Sequence, residues 1–131
     1  MLGIDTNILV RFLVRDDERQ FVKARKLIRR EVLAGRPVFV SQLVLLETEW
    51  VLRSRYDFRK DEIIGAISGL LDAADAQLED ESEVEQALYI WKDNNAGFAD
   101  CLIGTRNLKI GCLATATFDT KASRLPGFVA A

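Results

Sequence analysis

The chain is 131 residues long, 49% apolar and 29% charged, which suits one globular domain with a core of its own over residues 1–131. Its 18 Lys plus Arg nearly balance 20 Asp plus Glu, giving a formal charge of −2, so overall charge selects no class of partner. There is no histidine, which excludes Ser-His-Asp and Cys-His triads, imidazole zinc ligands and imidazole acid–base catalysis.

Taken in chain order, short apolar runs alternate with longer helical stretches, and this alternation predicts an α/β fold around a mainly parallel sheet. Leu2 to Ile4 reads as a short first strand, and Asp5-Thr6-Asn7 supplies capping side chains for a helix over Ile8 to Val14. Asp16 and Asp17 open a second helix to Ala34, stopped by Gly35, and Pro37 precedes a strand at Val38-Phe39-Val40. Ser41 caps a third helix from Gln42 to about Arg55, and the apolar spacing of Ile63, Ile64, Ile67, Leu70 and Leu71 marks a fourth over Asp61 to Ala74. Residues 76–80 suit a strand or loop. Ser82 and Glu85 resemble a capping box for a helix reaching Lys92. Asn94, Asn95 and Gly97 break the chain before a helix from Phe98 to Ile110, ended by Gly111. Cys112 to Thr117 reads as a strand, followed by a helical turn from Lys121 and a Leu125-Pro126-Gly127 turn. Cys101 and Cys112 are too few and too isolated for a metal site or disulfide framework. With no basic, apolar leader and no long apolar run, a soluble cytoplasmic protein without a membrane segment is expected.

Most of the acids read as solvated surface, but four resist that reading. Asp5 and Asp119 both follow strands, and in an open parallel sheet ligands gather beyond the carboxyl ends of strands. Glu47 is flanked along the third helix by Leu43, Val44, Trp50 and Val51, so no side chain on that face can neutralise it. Its neighbour Glu49 has Arg53 four residues on and reads as a surface ion pair. Asp100 sits in the first turn of its helix. Four carboxylates brought to one edge cannot all stay ionised unaided, because two unit charges ~4 Å apart repel by about 4 kcal/mol at an effective dielectric near 20. A divalent cation relieves that repulsion, and a set of oxygen ligands alone selects Mg²⁺ or Mn²⁺ over zinc. Such a site suits cleavage of phosphate esters.

The segments Ile4-Asp5-Thr6-Asn7-Ile8-Leu9, Ser41 through Glu47, Phe98-Ala99-Asp100-Cys101-Leu102-Ile103, and Thr117-Phe118-Asp119 before Leu125-Pro126-Gly127-Phe128 together resemble a PIN-domain nuclease, more narrowly a VapC-type toxin of a toxin–antitoxin pair. The resemblance covers nearly the whole chain. It implies a three-layer fold with a central, mainly parallel sheet flanked by helices, and a metal-dependent endoribonuclease whose catalytic and metal-binding acids are Asp5, Glu47, Asp100 and Asp119. Thr6, Asn7 and Thr117 match polar positions that help hold the metal or its water. The implied partners are an RNA substrate, a VapB-type antitoxin and a second copy of the chain. Many relatives carry a further acid where this chain has Gly97.

Charge is uneven along the chain: residues 1–36 are net +4 and residues 37–131 net −6. Arg19, Lys23, Lys26 and Arg30 form a stripe at helical spacing that could follow a phosphate backbone, and Arg11 and Arg15, nearer Asp5, are the stronger candidates for gripping RNA. The acidic run from Asp72 to Glu85 reads as solvated surface. Two rivals differ in class. A receiver-type phospho-acceptor domain needs paired acids after its first strand, where this chain has Thr6 and Asn7. A catalytically silent PIN-like binding module would be favoured by loss of one of the four acids, all of which are present.

Overall fold

A computed structural model describes all of residues 1–131, as two compact units, Met1–Glu81 and Ser82–Ala131. The first holds β1 (Leu2–Gly3), α1 (Thr6–Leu13), α2 (Glu18–Leu33), β2 (Val38–Val40), α3 (Gln42–Arg55), α4 (Lys60–Asp72) and β3 (Ala76–Leu78). Its three strands are parallel in the order β1-β2-β3, with Leu2 opposite Val38 and Val38 opposite Ala76. Parallel neighbours require crossovers, which the helices between them supply. The central strand β2 is apolar at every position, and Val38 and Val40 are fully buried, as a strand covered on both faces demands.

Local chemistry fixes the boundaries. Asp17 Oδ1 accepts from the Gln20 N–H to start α2, and Ser41 Oγ accepts from the Val44 N–H to start α3. Gly35 takes a positive φ of 79° where the chain leaves α2, a conformation that costs glycine nothing. α1 begins at Thr6 rather than Ile8, because Asp5 alone is the cap. α4 stops at Asp72, since Ala73 is already extended.

The second unit holds α5 (Glu81–Lys92, whose first residue lies at the unit boundary), α6 (Phe98–Ile110), β4 (Thr115–Thr117), a 3-10 turn at Ala122–Arg124 and β5 (Phe128–Ala130). Its core gathers Val84, Ala87, Leu88, Phe98, Leu102 and Leu125, and the rings of Trp91 and Phe98 meet with centroids 5.3 Å apart. Gly111 ends α6 in the left-handed region, as the sequence predicts.

Three expectations change here. Ser82 lies inside the first turn of α5 and is not its cap. The last predicted strand is shorter: Cys112 is exposed and outside it, and pairing begins at Thr115. β5 follows Gly127 and pairs in parallel with β4, Thr115 opposite Phe128, where the sequence reads only as a turn. The parallel α/β character holds, and its hydrogen bonds run in two ladders, one in each unit.

Candidate active site

Asp5 stands one residue beyond Ile4 at the carboxyl end of β1, where the backbone is extended and α1 starts. Its Oδ1 accepts from the Ile8 N–H at 3.0 Å, which leaves the second oxygen of an exposed carboxylate without a protein partner. Asp119 repeats this arrangement in the second unit. It follows β4, its Oδ1 accepts from the Ala122 N–H at 2.8 Å, and its own N–H donates to Thr117 Oγ1 at 3.0 Å. Each carboxylate is therefore oriented by a backbone bond through one oxygen and presents the other. Thr117 fixes the turn that carries Asp119, Thr6 is the half-buried first residue of α1, and Asn7 is exposed beside it.

Asp100 is half-buried at the third position of α6, where the unsatisfied N–H groups of the helix start favour a negative charge. The cap of α6 is Gly97, with φ −74° and no side-chain bond, and a Cβ there would meet nothing within 4 Å. The structure has room for an acid at 97, so steric crowding does not explain the glycine.

Glu47 departs from expectation. It is exposed, and so are its supposed apolar neighbours Leu43 (77%) and Trp50 (50%). The buried face of α3 carries Leu45, Thr48, Glu49 and Leu52 instead. Glu49, read as a surface residue, is only 5% exposed and accepts from Arg53 Nε at 2.7 Å, which holds the guanidinium above its ordinary pKa. Thr48 Oγ1, beside it, is buried with no hydrogen-bond partner. The acidic run is also less uniform than its composition suggests: Glu83 is buried and pairs with Arg106 and Lys109, and Glu79 Oε1 accepts from the Gln42 N–H.

The donor set is oxygen only, and neither unit by itself gathers three or more Asp, Glu or Cys side chains into a group that could hold a metal ion. Asp5 and Glu47 belong to the first unit, Asp100 and Asp119 to the second. Carboxylate oxygens suit hard divalent cations in general, and Asp5 and Asp119 each keep one oxygen free of protein partners.

Among the cations named from sequence, Arg11 and Arg15 are already engaged. Arg11 donates to the Tyr56 hydroxyl (2.8 Å), Gln20 Oε1 (2.6 Å) and Asp16 (3.1 Å). Tyr56 is the main cause that raises the Arg11 pKa, and Asp16 adds a smaller part. Tyr56 also donates to Asp16, and that bond is the main cause of the lowered Asp16 pKa. This cluster, joining α1 to the end of α3 across forty-odd residues of chain, has no signal in the sequence. Arg15 forms a fork with Glu18 and lies over the Phe21 ring at 4.2 Å. Arg19, Lys23, Lys26 and Arg30 are all exposed on α2.

The sequence profile of the PIN domain matches residues 3–127. A VapC ribonuclease of Aquifex aeolicus (strain VF5) is 22% identical over 123 residues, covering 93% of this chain and 90% of that protein. The crystal structure of Mycobacterium tuberculosis VapC20, described as a sarcin-ricin loop cleaving toxin, aligns over 94% of this chain and 93% of that one, at 21% identity and a TM-score of 0.43.

Proposed function

Because the chain belongs to the PIN domain family, as the match over residues 3–127 shows, we propose that it is a divalent-metal-dependent endoribonuclease of the VapC type, acting as the toxin of a toxin–antitoxin pair. The observation that carries this reading is the placing of Asp5 and Asp119. Each lies just beyond a parallel strand, oriented through one carboxylate oxygen with the other presented. Residues 1–131 act as one PIN-like domain, which the unbroken family match across both units supports.

Asp5 and Asp100 are the principal metal ligands, Glu47 a ligand directly or through water, and Asp119 a ligand or the residue that orients the attacking water. Mg²⁺ or Mn²⁺, when bound, polarises a phosphate oxygen and acidifies a water. The protein's own part is to hold these groups in place: the Ile8 N–H fixes Asp5, while Thr117 Oγ1 and the Ala122 N–H fix Asp119. With no histidine in the chain, proton movement falls to carboxylates and water. Thr6 and Asn7, at the α1 start, stand beside Asp5 as accessory polar groups.

A homodimer and a VapB-type antitoxin are the proposed protein partners. Exposed apolar side chains in the second unit, Leu113 at 98% and Phe118 at 95%, support a protein-covered surface. The proposed site of action is the cytoplasm, where cellular RNA is met. No helix is long and apolar enough to cross a membrane.

The test is incubation with mixed cellular RNA and Mg²⁺ or Mn²⁺, with and without chelator, followed by analysis of product ends. Attack by water leaves 5′-phosphate and 3′-hydroxyl ends. Asp5→Asn and Asp100→Asn should each reduce cleavage by at least about 100-fold with the fold retained, since each removes a negative ligand from the cation. Undiminished cleavage by a folded Asp100→Asn protein, or cyclic phosphate ends formed without metal, would refute the mechanism. A folded wild-type protein that cleaves no RNA would leave the silent binding module.

A further inference from the structure

Six of the twelve arginines have an acid beside them: Arg11 meets Asp16, Arg15 meets Glu18, Arg36 meets Glu31, Arg53 meets Glu49, Arg59 meets Asp61 and Arg106 meets Glu83. Of the other six, four lie on the outward face of α2. Arg19, Lys23, Arg25, Lys26, Arg29 and Arg30 are all exposed, and none has an acid within ion-pair distance. The two acids of α2 do not relieve them, because Glu18 is taken by Arg15 and Glu31 by Arg36. Six cations at three- and four-residue spacings on one helix repel one another. Salt screens part of that repulsion, and an external polyanion, by displacing the counterions, relieves it further.

We propose that this face of α2 is a docking surface for the phosphate backbone of RNA, distinct from the carboxylates that do the chemistry. The proposal rests on the RNA reading above and moves the contact from Arg11 and Arg15, whose charges are matched internally, to α2. Arg19, Lys23, Lys26 and Arg30 recur about once per turn, so at ~1.5 Å per residue they form a line of roughly 16 Å, enough to meet several consecutive phosphates. Between the side chains of this face, Lys23, Lys26, Leu27, Arg29, Arg30 and Leu33 border a shallow, open depression of about 490 Å³. Leu33, 79% exposed, gives that depression an apolar end on which a sugar or base can rest while the cations hold phosphate. Two copies cannot pair face to face through this helix, since like charges would be brought together.

The experiment measures binding of a fluorescein-labelled RNA hairpin, in chelator so that no cleavage competes, between about 50 and 200 mM salt. Wild type is compared with a Lys23→Gln/Lys26→Gln/Arg30→Gln triple variant, whose changed side chains are all exposed, and folding of both is checked by circular dichroism. Removing three phosphate contacts should flatten the slope of log K against log salt by about 2 and weaken binding at the low-salt end at least about 10-fold. Equal slopes and affinities in the two proteins overturn the proposal. So does a triple variant that loses self-association, or binding to polyglutamate, with RNA affinity unchanged, for the face would then serve a protein partner. Failure of the nuclease reading looks different: wild type would bind the hairpin with a steep salt slope but cleave no RNA in Mg²⁺ or Mn²⁺.

Discussion

Two glutamates two positions apart on α3 show how burial, not residue type, assigns a role. Glu49 is buried and bonded to Arg53, whereas Glu47 is exposed with neither hydrogen bond nor ion pair. Removing the buried charge loses a short charge-assisted hydrogen bond, and because the arginine is half exposed it can be resolvated, so the cost is that of one such bond. Glu49→Gln should therefore lower stability by about 1–2 kcal/mol. Glu47→Gln should stay within about 0.5 kcal/mol of wild type while reducing metal-dependent cleavage. Thermal denaturation followed by circular dichroism separates the two. Equal losses of stability would mean that both glutamates serve the fold.

At the scale of elements, what the sequence reveals depends on whether a signal is local. Helix starts at Asp5, Asp17 and Ser41, and the stop at Gly111, were legible because each is one side chain or one backbone conformation acting on its neighbours. The face of α3 was not. Leucines and valines occur all round that helix, so the apolar pattern has no phase, and Glu47 and Glu49 exchange places between core and surface. β5 was hidden for a related reason: three residues carry no periodicity, and the strand exists because β4 is there to pair with it. The four proposed acids are singled out by position along the chain alone, whereas the Arg11–Asp16–Tyr56 cluster depends on tertiary approach and has no such signal.

Packing of β5 against α6 turns on a single glycine. Gly104 lies under the Phe128 ring, so closely that an added Cβ would collide with it. Gly104→Ala gains helix propensity worth about 1 kcal/mol but must displace the ring, and overpacking costs typically 1–3 kcal/mol. The net expectation is destabilisation, seen as a lower denaturant midpoint. In a Phe128→Ala background the collision is gone, and the same substitution should become stabilising by up to about 1 kcal/mol. If its effect has the same sign in both backgrounds, the ring does not set the contact.

For the molecule as a whole, the near-zero net charge averages two unlike regions. The first 36 residues are net +4, and the unmatched cations of α2 lie among them. Metal enters at this scale as well. Neither unit gathers three carboxylates into a group of its own, and Asp5 and Asp119 are oriented by backbone bonds, so the fold does not need a cation to hold these side chains. Exhaustive chelation should abolish cleavage yet shift the unfolding midpoint of the metal-free protein by no more than about 1–2 °C, a difference read by calorimetry. Cooperative unfolding lost on chelation would instead mark the cation as structural.

The parallel sheet has a consequence for synthesis. Leu2 pairs with Val38, and Val38 with Ala76, so no strand of the first unit finds a partner close by in the chain. While the chain emerges, β2 acquires β1 early but must wait for α3 and α4 before β3 arrives. Throughout that interval Val38 and Val40, destined for complete burial, lie on an open edge able to recruit another nascent chain. The growing polypeptide is therefore most vulnerable to aggregation between the emergence of Val40 and that of Leu78, before any of its chemistry is assembled.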